Sequence, residues 1–251
     1  MNTESWKLLA EFVAQRAELG EREWYFDPIP YLTRSSDTRA VLVEEAGDAC
    51  GCEVASHGPA PAGVGADTLD ELMGTVGRCL RCPLGSTRRN FVFGSGNHRA
   101  EVMFVGEAPG ADEDAQGLPF VGRAGQLLTR MIESIKLRRE DVYITNVLKC
   151  RPPGNRDPLQ AEIEKCEPIL LRQIEIIRPK IICALGRISG KTLLRTEASL
   201  TALRGKVHNY HGVKLMVTYH PAALLRNQQW KRPAWEDLKF LRREYDGVEI
   251  R

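Results

Sequence analysis

"EVMFVGEAPGADEDAQGLPFVGRAGQLLTRMIESIKL", Glu101 to Leu137, is the stretch on which the fold turns. It opens on a short apolar run, Val102 to Val105, that reads as a buried strand. It closes on a helical repeat that puts Leu128, Met131, Ile132 and Ile135 on one face. Between the two lie acidic residues, prolines and several glycines. Such a loop is poor packing material, so a ligand is expected there.

The same alternation continues outward. "DVYITNVLKC" (141–150), "KIICALG" (180–186) and "VKLMVTYHP" (213–221) read as further strands. Helices are expected over 68–77, from an Asp157-Pro158 start through Ile177 with Pro168 inside, over "ISGKTLLR" (188–195) and over 233–244. Strands alternating with helices imply parallel strands and right-handed crossovers. The expected fold is therefore α/β, a three-layer α/β/α sandwich with a central four-stranded parallel sheet, plus an N-terminal extension. Ligands of such sheets sit beyond the carboxyl ends of the strands.

The extension is residues 1–66, with a helix expected over 3–19 and a Pro/Gly/Ala linker, "HGPAPAGVGAD", at its end. The catalytic domain is expected over 67–251. Residues 1–66 carry 5 basic and 11 acidic side chains, leaving 30 basic and 22 acidic to the rest. A basic domain with an acidic appendage suits a polyanionic substrate, although a mixed solvated surface gives the same balance. No apolar run approaches the length of a membrane span, and the first twenty residues are charged throughout, so a cytoplasmic monomer is expected.

Seven cysteines without a secretory signal point to metal before disulfides. Cys79 and Cys82 form C-x-x-C, Cys150 ends the second strand segment, and Cys166 lies on the next helix. A zinc ribbon brings two close pairs together, and this pattern has one. Four thiolates from a loop, a strand end and a helix fit an iron–sulfur cluster at least as well, with zinc the alternative. Cys183, mid-strand among apolar neighbours, reads as packing, and the Cys50-x-Cys52 pair as ordinary thiols.

Three polar motifs fall at strand ends. Gly106-Glu107-Ala108-Pro109-Gly110, followed by Glu113, permits close backbone approach to a ligand, although such a turn is often only a turn. It is no Walker loop, since no Gly-Lys-Ser/Thr follows. Phe120, in a glycine-rich loop, is either core or a stacking platform for a planar base. Asn146 presents a donor and an acceptor side by side, matching the edge of a pyrimidine such as uracil, or it caps a strand. His220 can donate to an oxygen gaining negative charge. After it, Leu224, Leu225 and Arg226 read as an apolar tip with a cation, suited to wedging into stacked bases, or as a helix start with core leucines.

Taken together and in this order, "GEAPGADED", "LPFVGRAGQLL", "TNVLKCRPPGNRDP", "HPAALLRN" and the cysteine spacing resemble the family 4 uracil-DNA glycosylases, over roughly residues 70–245. The resemblance implies a [4Fe–4S] cluster on Cys79, Cys82, Cys150 and Cys166, and excision of uracil from single- or double-stranded DNA without a nucleotide cofactor. It implies that Gly106, Glu107 and Ala108 line the uracil pocket, that Phe120 stacks on the base, that Asn146 reads its edge and that His220 faces its O2. Glu113 matches a second acidic residue, and Asn155 a helper. Family 1 has an aspartate over the attacking water where this chain has Ala108, so water activation falls to Glu107 or Glu113, with Glu107 preferred. Arg88, Arg89, Arg151 and Arg226 are the expected phosphate contacts. A covalent trap for uracil-bearing DNA, a broader-specificity deaminated-base glycosylase and a cluster-bearing nucleic-acid-binding module are the alternatives. The trapping branch carries a basic insertion with a histidine that "CRPPGNRDPLQ" lacks.

Overall fold

A computed structural model describes residues 66–247. The expected helix over 3–19, the linker up to residue 65 and the C-x-C pair lie outside these residues. Ala66, the first described, is buried, and its carbonyl accepts from Arg172 Nε at 3.0 Å.

The sheet has six strands: β1 (Ser95–Gly96), β2 (Val102–Gly106), β3 (Tyr143–Asn146), β4 (Ile181–Leu185), β5 (His208–Tyr210) and β6 (Val213–Thr218). Their order is β1-β3-β2-β4-β6-β5. The four expected strands pair parallel in the middle, while β1 and β5 add antiparallel edges. A purely parallel four-stranded sheet is thus corrected to a mixed six-stranded one. Strands of two and three residues are too short to show an alternating pattern, which is why the sequence hides them.

Alternate residues of each parallel strand face opposite layers, as the pleat requires. Met103, Val105, Tyr143, Ile182, Ala184, Leu215 and Val217 pack with α1 (Leu69–Val76) and α5 (Gln160–Ile177). Val102, Phe104, Ile144, Cys183, Leu185 and Met216 pack on the other side with α4 (Arg123–Ser134) and α9 (Lys231–Asp246). The middle strands are buried on both faces and so read as continuous apolar runs. Cys183 sits in this core, 1% exposed.

The remaining helices are α2 (Leu84–Thr87), α3 (Ala111–Gln116), α6 (Arg187–Leu194), α7 (Leu200–Leu203) and α8 (Pro221–Arg226). Thr68 caps α1 through a reciprocal box with Glu71, with Glu71 N donating to Thr68 Oγ1 at 3.2 Å. The Asp157-Pro158 start is corrected: α5 begins at Gln160, because Glu162 accepts from Leu159 N at 2.9 Å and sets the cap there. Asp157 is left outside, in an ion pair with Arg187 at 3.1 Å.

Candidate active site

Gly106 and Asn146 are register partners at the carboxyl ends of β2 and β3, and His220 follows β6 by two residues. Around these ends lies a cavity of about 390 Å³. Glu107, Ala108, Glu113, Phe120, Asn146 and His220 all line it. A second depression of about 370 Å³, near Glu101 and Tyr245, stands at the opposite ends of the strands, away from every motif.

The floor of the cavity is built by close backbone approach. A Cβ on Gly106 would overlap the Asn146 amide and the Phe120 ring, so only glycine leaves room there. Asn146 is 2% exposed, and its Oδ1 has no hydrogen-bond partner. A buried amide oxygen left unpaired is costly and marks a site waiting for a donor. Phe120 adopts the left-handed region, φ 52°, unusual for a bulky side chain. Gly125 underlies it so closely that a Cβ there would overlap the Phe120 carbonyl. The strain presents the phenyl ring to the cavity, 5.6 Å from the His220 ring centroid.

His220 caps α8, its Nδ1 accepting the N–H of Ala222 at 3.2 Å. Burial, with Arg226 adding to it, pushes the imidazole down to about 4. The ring is therefore neutral at ordinary pH, with its proton on Nε2.

The two carboxylates differ. Glu113 is tied into the loop: Oε1 accepts from Val121 N at 2.9 Å and Gly122 N at 3.1 Å, and Oε2 from Gly110 N at 3.1 Å. Its oxygens hold the Phe120 loop against the start of α3, a structural task for the less preferred of the two expected carboxylates. Glu107 is raised to about 7, first by burial and next by Asp157, with Arg187 opposing. Asp157 and Pro152 also line the cavity. Asp157 was missed by sequence reasoning, because Asp-Pro reads as a helix cap.

Two expectations about the rim change. Leu224 is 2% exposed in the core beneath α8, so it cannot wedge, while Leu225 is exposed and Arg226 lines the cavity mouth. Arg88 is not available for phosphate. It donates to Cys79 O at 2.6 Å, Gly77 O at 3.2 Å and Cys150 Sγ at 3.4 Å. Arg151 donates to Asn155 Oδ1 at 2.7 Å, and Asn155 lines the cavity.

The four thiols share one neighbourhood and none is in a disulfide. Burial first, and then Cys82 and Cys79 among nearby charges, raises the Cys150 thiol. Burial again raises Cys166 to about 12, with Cys150 and Cys82 contributing and Lys149 opposing. Cys166 Sγ also accepts from Lys149 N at 3.3 Å. In identity, number and N–H donors to sulfur, this set fits a thiolate-held group. Among the described residues no three such side chains stand at metal-coordinating spacing.

With this geometry in view, the likeness to known proteins is specific. Residues 93–239 match the family model described as the uracil DNA glycosylase superfamily. The chain is 48% identical over 181 residues to the type-4 uracil-DNA glycosylase of Archaeoglobus fulgidus, covering 69% of this chain and 91% of that one. It belongs to the type-4 uracil-DNA glycosylase family. Identity to the type-4 enzyme of Saccharolobus solfataricus is 50% over 193 residues, covering 73% and 89% of the two chains. For the Thermotoga maritima enzyme it is 44% over 194 residues, covering 70% and 98%. A type-5 uracil-DNA glycosylase of Pyrobaculum aerophilum is more distant, 30% identical over 188 residues, 62% of this chain and 83% of that one. The matched residues 93–239 include every side chain named above at the strand ends. Among the described residues no helix is long and apolar enough to cross a membrane.

Proposed function

We propose that this chain removes uracil from DNA by hydrolysing the N-glycosidic bond, leaving an abasic site for base excision repair. One observation carries the reading: an unpaired buried amide, a neutral imidazole and a strained phenyl ring meet in one cavity large enough for a base.

Inside a duplex the bond is out of reach, so the nucleotide must be flipped, at a cost of roughly a few kcal/mol. Phe120 stacks on the flipped base. Asn146 pairs with its edge. Scission takes the bonding electron pair onto the base, giving a uracil anion and a cationic sugar. The Nε2–H of His220 donates to the oxygen that gathers this charge. A neutral donor held in place stabilises the anion without losing its own proton. Water adds its oxygen to C1′, and ionised Glu107 takes the proton released. Exposed Leu225 fills the space the base vacates, with Arg226 beside a phosphate.

Cys79, Cys82, Cys150 and Cys166 would hold a [4Fe–4S] cluster, zinc being the alternative. When bound, it would cross-link the segment before β1 to the end of β3 and to α5, a structural role.

Incubation with an oligonucleotide bearing one uracil, followed by alkali, tests the reading. Strand cleavage at the uracil, lost with Asn146→Ala or His220→Ala, is expected. A gel shift without cleavage identifies a binding module, and a denaturant-stable adduct a covalent trap. Either result overturns hydrolysis.

A further inference from the structure

Beneath Asn146 lies a lysine that none of the chemistry above uses. Lys149 is 0% exposed. Its Nζ donates to Thr145 Oγ1 at 2.6 Å, to the Asn146 carbonyl at 2.7 Å and to Gln173 Oε1 at 2.6 Å. An ammonium has three protons, and each finds one acceptor. The acceptors are themselves anchored. Thr145 Oγ1 donates to Phe93 O at 2.9 Å, and Gln173 Nε2 donates to Phe93 O at 2.9 Å and to Tyr143 Oη at 3.3 Å.

Burying an ammonium is expensive even when its bonds are satisfied, and an apolar side chain of similar length would fill the space without that cost. Packing alone therefore does not account for the residue. What the ammonium does is grip the backbone at the one strand end whose side chain enters the cavity. The orientation of the Asn146 peptide sets the direction of its Cα–Cβ bond, and through it where the amide meets the base. The main chain of the same lysine donates to Cys166 Sγ at 3.3 Å, so the clamp is held from below.

We propose that Lys149 is a positioning residue for the reaction, holding the Asn146 amide in register with the uracil edge. The proposal rests on Asn146 being the group that reads that edge. A misplacement of about 1 Å in a reacting constellation can slow a reaction roughly 100-fold, so the expected effect lies on chemistry, not on DNA affinity.

Single-turnover excision at saturating DNA, inhibition by free uracil and affinity for uracil-free DNA are measured for Lys149→Met, Asn146→Ala and the double variant. Lys149→Met is expected to slow excision roughly 10- to 100-fold and to weaken inhibition by uracil, with uracil-free DNA bound as before. On the Asn146→Ala background it should add little, since the group it positions is gone. If the two losses multiply, or if Lys149→Met excises at the parent rate, the proposal is overturned. If Asn146→Ala itself excises at the parent rate, the proposal falls with the reading beneath it, and the single variant identifies that cause. Should Lys149→Met fail to fold, Thr145→Val removes one of the three acceptors. A smaller loss, again masked by Asn146→Ala, supports the clamp, and an unchanged rate overturns it.

Discussion

The backbone N–H of Ala222 points at Nδ1 of His220, 3.2 Å away, so the first turn of α8 fixes which ring nitrogen carries the proton. Histidine at the cap of that helix lines the cavity, and with Nδ1 engaged the ring proton is left to Nε2. The donor is thus aimed before any substrate arrives. His220→Ala is expected to slow single-turnover excision on the order of 100-fold or more. The same residue leaves a stability signature. Its folded value, about 4, lies below the ordinary 6.5, so between these pH values the unfolded chain binds more protons. The parent should lose stability as pH falls through that window, while His220→Ala loses less. Thermal midpoints at pH 7 and near the lower limit check this, and a constant gap between the two proteins would contradict it.

Glu107 should govern the rate near neutrality. With its carboxyl raised to about 7, the ionised form grows in as pH rises, and excision should rise with it. Glu107→Gln should be slow and flat across the same range. Asp157→Asn should move the midpoint down and Arg187→Ala should move it up, because the first removes a like charge and the second an opposite one. Stability runs the other way. Below the ordinary 4.5 both states hold the proton, and the folded state loses stability as pH rises through about 7. Glu107→Gln should therefore gain thermal midpoint over the parent as pH increases. Glu113→Gln should instead lower the midpoint at all these pH values, since its oxygens serve three backbone N–H groups. If both glutamine variants excise at the parent rate, carboxylate assistance is absent.

What was legible in the sequence followed from pattern length. The four middle strands and α4 announce themselves by apolar runs and a helical stripe, because each is buried over several residues. β1 and β5 do not, being too short for any period to appear. The residues at the strand ends were legible in kind and order, since glycine, asparagine and histidine at those places are poor packing choices. Their division of labour was not. Glu113 and Glu107 look equivalent in "GEAPGADE", and only the fold shows backbone N–H groups surrounding one and partial burial beside Asp157 and Arg187 for the other. Leu224 and Leu225 are likewise indistinguishable until the turn of α8 puts one in the core. Lys149 reads as one more basic residue in a basic domain, and its burial has no local signal.

Gly106→Ala isolates the shape of the floor. The added methyl would meet the Asn146 amide and the Phe120 ring together, and either could withdraw only into the space the base would occupy. Excision and inhibition by free uracil should both be lost, while the protein stays folded, because the atoms the methyl meets are side-chain ends that border the cavity and not backbone. Full activity in a folded Gly106→Ala protein would mean that the base does not lie where Asn146 and Phe120 converge.

The thiol set can be tested apart from catalysis. Protein purified without oxygen should contain iron and acid-labile sulfide if the group is a cluster, and zinc with neither if the alternative holds. Cys150→Ser or Cys166→Ser should reduce that content and the thermal midpoint together. Arg88→Met should retain the group at first but release it faster to a chelator, since Arg88 donates to Cys150 Sγ and braces the carbonyls of Gly77 and Cys79. Release at the parent rate would limit Arg88 to packing on Phe91, 5.1 Å from its guanidinium.

The two leucines of α8 should separate stability from base flipping. Leu224→Ala opens a cavity beneath the helix and should cost about 2–5 kcal/mol of stability. Leu225→Ala removes an exposed side chain and should leave the thermal midpoint alone. If Leu225 fills the space left in the stack, its loss should slow excision from duplex DNA and spare single strands, where no stack has to be held open. The ratio of duplex to single-strand rates is the measurement. A ratio unchanged by Leu225→Ala would leave Arg226, at the cavity mouth, as the only part of the tip acting on DNA.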